Sequence, residues 1–323
     1  MVQFIAEELT SIRSFGQLRR SAQTAGAKRV AIVCAEDDVA LAAASDALAH
    51  GIAIPQLIGN ETNIRAKASA LGLGELLARA QLIHAESSAA AARKACEMAA
   101  SGESDILLKG HLRTDELLRE VLGRESGLRT GLLLSDVLLY EDSLSGTRRL
   151  VGITDGGLNV LPTLEQKRQI VLNAIEVMQC LGITKPHIAL MSATEAVTDS
   201  IRSTLDAATL TEMGARGEFG EALVFGPLAL DNALMMSAAE AKGIVHPVAG
   251  HADCMVVPNI EAGNLLGKAV KYLGGSQCAH VVVGARVPVL IPSRVESSDD
   301  KVNSIALGVL CHASSHRLKE ERS

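Results

Sequence analysis

The chain contains no tryptophan, four phenylalanines and two tyrosines, so aromatics make up only 2% of its 323 residues. Proteins that hold single-stranded nucleic acid stack bases on aromatics interleaved with basic side chains, and this composition cannot supply that surface. Charge of one sign is also missing. The 31 Lys plus Arg stand against 37 Asp plus Glu, a net charge of −6 with no strong tail of either sign, so general nucleic-acid or anionic-membrane binding is not expected. No Gly-x-Gly-x-x-Gly run follows the first strand-like segment and no Walker A run occurs, which removes the usual marks of dinucleotide and ATP binding.

His-Glu-x-x-His is absent, and metal-ligand spacing reduces to His251 and Asp253 on one local strand, so no metal is expected. The six cysteines, at 34, 96, 180, 254, 278 and 311, include no Cys-x-x-Cys pair and read as reduced small hydrophobes. The opening MVQFIAEELTSIRSF carries acidic residues and no long apolar core, unlike a signal peptide or a membrane helix. A cytoplasmic location is expected.

Apolar residues are plentiful: 48% hydrophobic content and a mean hydropathy of +0.23 suit a substantial buried core. Single cores stop growing at about 250–300 residues, so two domains are expected. Short apolar runs alternate with helical patterns, as in a parallel α/β architecture. Strand-like runs fall at 30–35, 51–59, 81–84, 104–110, 150–155, 187–190, 222–226, 254–258, 279–284 and 287–291. Between them, helices are predicted over 89–98, over 164–181 behind Pro162 and Thr163, and over 300–313. No Gly/Pro/Ser-rich linker divides the chain.

The segment 292–300, Pro-Ser-Arg-Val-Glu-Ser-Ser-Asp-Asp, is the richest local constellation and follows the last strand, where open α/β folds place ligand groups. Ser293 offers a hydroxyl and Arg294 a planar fork suited to a phosphoryl group. Asp299 and Asp300 open a helix, where carboxylates also serve simply as caps. Lys109-Gly110 and Arg129-Thr130-Gly131 each set a cation beside a glycine, a pattern that solvated surface charge also produces.

Taken in order, Lys109-Gly110, Gly127-Leu-Arg-Thr-Gly131, Thr154-Asp-Gly156 with Asn159, Gly226-Pro-Leu-Ala-Leu-Asp-Asn232, Glu261-Ala-Gly-Asn264 and Ser293-Arg294 with Asp300 resemble the phosphate acetyl/butyryltransferase family, more closely its butyryltransferase branch. The resemblance implies two three-layer α/β/α domains with a cleft between them, similar to isocitrate and isopropylmalate dehydrogenases. Residues 1–135 plus 281–323 would form the first and 136–280 the second, which would dimerise. It implies the reaction acyl-CoA plus phosphate giving acyl phosphate plus CoA, with CoA as substrate and no further cofactor.

In family terms Ser293 would stabilise the transition state, Arg294 would hold phosphate and Asp300 would take the CoA thiol proton, with Asp299 competing for that role. Arg129, Lys109 and Asn264 would bind CoA or its phosphates. Pro292 and His251 depart from the family pattern. The alternatives are a noncatalytic CoA- or acyl-phosphate-binding protein and a metal-dependent decarboxylating dehydrogenase, whose carboxylate and nicotinamide signatures the sequence does not show.

Overall fold

The computed structural model describes residues 11–143, 148–293 and 296–320. Helix α1 (Phe15–Ala25), N-capped by the Ser14 hydroxyl, leads into β1 (Lys28–Val33), α2 (Asp38–Ala49), β2 (Ala53–Gly59), α3 (Glu61–Ala70) and α4 (Gly74–Arg79). β3 (Gln81–His84), α5 (Ser88–Ser101), β4 (Ile106–Lys109) and α6 (Thr114–Val121) follow. β1 pairs in parallel with both β2 and β4, and β2 with β3. Side chains alternate across β1: Val30 and Ile32 join the core beside α2, whereas Ala31 and Val33 join the core beside α5. Helices therefore cover both faces.

The pattern resumes with β5 (Ser135–Asp142), β6 (Arg149–Thr154), α7 (Leu164–Cys180), β7 (His187–Met191), α8 (Arg202–Ala215) and β8 (Leu223–Leu228). Then come α9 (Leu230–Leu234), α10 (Met236–Ala241), β9 (Cys254–Val256) and α11 (Ile260–Lys268), which runs on into a π-helical turn, Ala269–Leu273. The described chain closes with β10 (Cys278–Val283), β11 (Val289–Leu290) and α12 (Ser298–Glu320).

Among the described residues eleven strands form one mixed sheet, ordered β3-β2-β1-β4-β11-β10-β5-β6-β9-β7-β8. The expectation of a parallel architecture needs correction at its centre. There β5 runs antiparallel to both β6 and β10, and β10 antiparallel to β11. The connections β5–β6 and β10–β11 are too short for the crossover a parallel pair requires. The two flanking parallel blocks consequently point in opposite directions.

Residues 300–311 of α12 are buried on every side, which is why this helix lacks a polar stripe. It packs against α1, α2 and α7 and against β4, β10 and β11. Among the described residues no helix is long and apolar enough to cross a membrane.

Candidate active site

Helices reach a sheet face as crossovers, and the antiparallel centre needs none. A cavity of about 280 Å³ opens over that centre. Its floor comes from Asp136 and Leu138 of β5, Ile153 of β6, Cys278 and His280 of β10, and Ile291 after β11. Its walls come from Gly263, Asn264, Gly267 and Lys268 of α11, Lys271 and Tyr272 of the π turn, Thr114 of α6, and Ser293 and Glu296 ahead of α12.

One wall is built by glycines. The Asp155 carboxylate accepts the backbone N–H groups of Gly157 (2.7 Å), Leu158 (2.9 Å) and Asn159 (3.2 Å), folding the chain after β6 into a tight turn. The turn backs onto α11 so closely that a Cβ on Gly156 would lie 2.7 Å from the Gly263 carbonyl carbon. This explains Asp155, Gly156, Asn159 and Gly263 as builders of the wall. Asn264 adds a side-chain donor to Gly156 O at 3.4 Å and itself lines the cavity.

The floor holds a chain of charge. His280 and Asp136 lie on one face of neighbouring strands, since His280 pairs with Leu138 and Asp136 sits two residues away. His280 Nδ1 is 3.3 Å from both Asp136 oxygens, and its Nε2 is 3.4 Å from Glu296 Oε1. Burial alone pushes the imidazole pKa down, but the two carboxylates outweigh it and hold His280 well above its usual range, as the cation. Burial pushes Glu296 up, and the His280 charge and hydrogen bonds more than reverse that, leaving it below the usual carboxylate range.

Asp300 lies behind this wall and is fully buried. It accepts Cys278 N–H at 2.9 Å, the Lys271 ammonium, and both the N–H (3.1 Å) and hydroxyl (2.6 Å) of Ser297. In return Asp300 N–H donates to Ser297 Oγ at 3.2 Å, so the two residues make a reciprocal cap at the start of α12. These partners overcome the burial that would raise the Asp300 pKa and set it below normal. Asp299 faces the other way, 56% exposed and 2.8 Å from the Arg19 guanidinium.

Of the residues singled out from sequence, the structure brings Ser293 and Asn264 to the cavity and sets Asp300 one side chain behind it. Lys109 and Arg129 are not brought there. Lys109 is buried at the end of β4, while Arg129 is exposed on a segment held to Ala285 by a single bridge. Arg294 lies outside the described residues. Asp253 accepts the His187 N–H at 2.8 Å, and His251 O approaches the His187 ring. Asp136, His280, Lys271 and Glu296 are cavity groups to which the sequence reading gave no role. The available signal was a charged residue inside an apolar strand run, as at Asp136 and His280.

Comparison with known proteins gives one consistent picture. Residues 79–309 match the family described as phosphate acetyl/butaryl transferase. The chain is 40% identical over 274 residues to a phosphate acetyltransferase of Rhizobium meliloti, covering 85% of each chain. It is 38% identical over 299 residues to a phosphate butyryltransferase of Clostridium acetobutylicum, covering 93% of this chain and 98% of that one. The crystal structure of a branched-chain phosphotransacylase from Enterococcus faecalis superposes with a TM-score of 0.77 at 32% identity, covering 88% of this chain and 99% of that one.

Proposed function

The chain belongs to the phosphate acetyl/butyryltransferase family, and from that premise we propose how its cavity performs the reversible transfer of a short acyl group between CoA and inorganic phosphate. The observation that carries the proposal is the meeting, in one cavity, of Ser293 with the cations Lys268, Lys271 and His280 and with the apolar Leu138, Ile153 and Ile291 of the floor. Cations and hydroxyls suit the phosphoryl group, while Leu138, Ile153 and Ile291 suit a short acyl chain. The two curated relatives carry different acyl names at 40% and 38% identity, so identity does not rank acetyl against butyryl.

In this reading acyl phosphate lies with its phosphate toward Ser293 and Arg294, and the Arg294 fork neutralises the charge that grows as phosphate leaves. Ser293 donates to the carbonyl oxygen in the transition state. CoA approaches past Asn264, and its thiol sulfur attacks the acyl carbon directly. A covalent acyl-enzyme is not needed: Cys278, the cysteine at the cavity, has its pKa pushed up to about 12, chiefly by burial, and is held as an unreactive thiol. Of the two acids expected to take the CoA thiol proton, Asp300 is the one set against the cavity wall, through Lys271, and in this reading it takes that proton while also holding the ammonium and the start of α12 in position.

The finer architecture also belongs to this proposal. Two units, 1–135 plus 281–323 and 136–280, with the cleft between them, fit a sheet whose parallel blocks reverse direction at its antiparallel centre, an arrangement we compare with isocitrate-type dehydrogenases. A cytoplasmic homodimer is the expected form, supported by apolar residues left exposed on and after α9 and α10, among them Leu230, Met235, Met236 and Val245.

The test is phosphate-dependent CoA release from acetyl-, propionyl- and butyryl-CoA without added metal or nucleotide. Wild-type protein releases CoA only with phosphate, and Arg294→Ala lowers kcat/KM by about 10²–10³-fold. Binding of CoA with no release from any of the three thioesters would instead identify a noncatalytic CoA-binding protein.

A further inference from the structure

We propose that Leu138, seated against Gly267, ends the acyl-binding part of the cavity and so sets how long an acyl chain the protein accepts. This rests on the acyl-transfer reading above and names the specificity-determining contact within it.

The cavity divides by strand. Ser293 follows β11, and His280 stands on β10, the neighbouring strand. β5 and β6 come next in the sheet, and there Leu138 and Ile153 are register partners that both line the cavity. An acyl tail that points away from Ser293 therefore runs over Leu138 and Ile153. Burial there removes the hydrocarbon from water, while the phosphoryl group keeps the cations and the hydroxyl.

What covers Leu138 makes it an end as well as a floor. Gly267 of α11 faces it so closely that a Cβ on Gly267 would lie 3.0 Å from Leu138 Cδ1. Gly263, one turn earlier on the same face of α11, meets the Gly156 turn in the same manner. The two glycines let the helix settle onto the sheet, and the Leu138 side chain fills the space under Gly267. Leu138 is only 8% exposed yet lines the cavity, so it stands between the open space and the core.

Beyond it, the same face of β5 carries Tyr140, whose register partner on β6 is Val151. Both belong to the buried cluster that includes Leu138, with Leu266 and Val270 of the covering helix packed against it. Shortening Leu138 opens the cavity toward these side chains, and an apolar void of that kind takes up hydrocarbon in preference to water. A methyl group added at Gly267 has the opposite effect. It presses Leu138 off the helix, and with the sheet beneath it the leucine can yield only toward the cavity.

The experiment measures kcat/KM for phosphate-dependent CoA release from acetyl-, butyryl- and hexanoyl-CoA, using wild type, Leu138→Ala and Gly267→Ala, with thermal unfolding as the check on the fold. Ratios between thioesters are compared, because a purely structural defect lowers all three rates together and cancels. Wild type should lose at least about tenfold from butyryl- to hexanoyl-CoA, the lower end of what one methylene is worth in a close-fitting pocket. Leu138→Ala should raise the hexanoyl-to-acetyl ratio by at least about tenfold, and Gly267→Ala should lower the butyryl-to-acetyl ratio by a similar factor. A wild type that takes hexanoyl-CoA as well as butyryl-CoA overturns the proposal. So does a folded variant of either kind whose ratio shifts by less than that or in the other direction. Should Leu138→Ala fail to fold, Leu138→Val replaces it and must raise the same ratio; should Gly267→Ala fail to fold, the Leu138 ratio decides alone. Wild-type protein that releases no CoA from any of the thioesters removes the acyl-transfer reading and this proposal with it, whereas turnover with unchanged ratios removes the proposal alone.

Discussion

His280 is held as a cation by the two carboxylates it touches, and that coupling ties its charge to folding. A group whose pKa is raised on folding contributes stability that is fully present below its unfolded pKa, about 6.5, and declines as pH rises toward the raised folded value. Wild-type stability should therefore fall on the alkaline side of about pH 6.5. His280→Gln should be less stable throughout, because two buried acids lose their counter-charge, but its unfolding temperature should lack that alkaline decline. A parallel slope in the two proteins would show that His280 is neutral in the folded state. The residues of the floor also show where sequence reading stops. Ser293, Asn264 and Asp300 stand in contiguous motifs, whereas Asp136 and His280 are 144 positions apart and meet only through the β5–β10 register. Lys109 and Arg129 were visible as cations beside glycines, but nothing in a local pattern says toward which side of a sheet such a cation is carried.

Among the elements, α12 depends on its first turn. The reciprocal bonds between Ser297 and Asp300 satisfy donors that a helix start leaves unpaired, and they fix the angle at which Glu296 meets the helix. Ser297→Ala should lower unfolding free energy by about 1 kcal/mol, the typical value of such a cap, as read from urea titration, and should lower kcat as well. An unchanged midpoint would mean that the cap is not needed to order this end. The strand and helix runs were largely legible because apolar residues recur with the period of each element. β5 was not, since Asp136, Glu141 and Asp142 flank its apolar stretch and disguise a strand that lies deep in the sheet. The antiparallel centre was also hidden: strand direction depends on whether the next connection crosses the sheet, and that follows from which strands become neighbours.

For the whole molecule, the exposed Leu230, Met235, Met236 and Val245, the last 96% exposed, set an expectation for solution behaviour. Light scattering at micromolar concentration should give twice the 33.8 kDa chain mass, and a strict monomer would remove the dimer from the proposal. The order of strands has a different consequence, which concerns synthesis. β10 and β11 are translated after the other nine strands, yet they fill the middle of the sheet between β4 and β5. Until they leave the ribosome, β4 and β5 present bare edges to each other and to neighbouring chains, the situation in which nascent sheets are most prone to pair wrongly. The same late segment brings His280, Ser293 and Glu296. Closing the gap in the sheet and completing the cavity are thus a single event, so an unfinished chain is a candidate for chaperone capture and holds no working fraction of the enzyme.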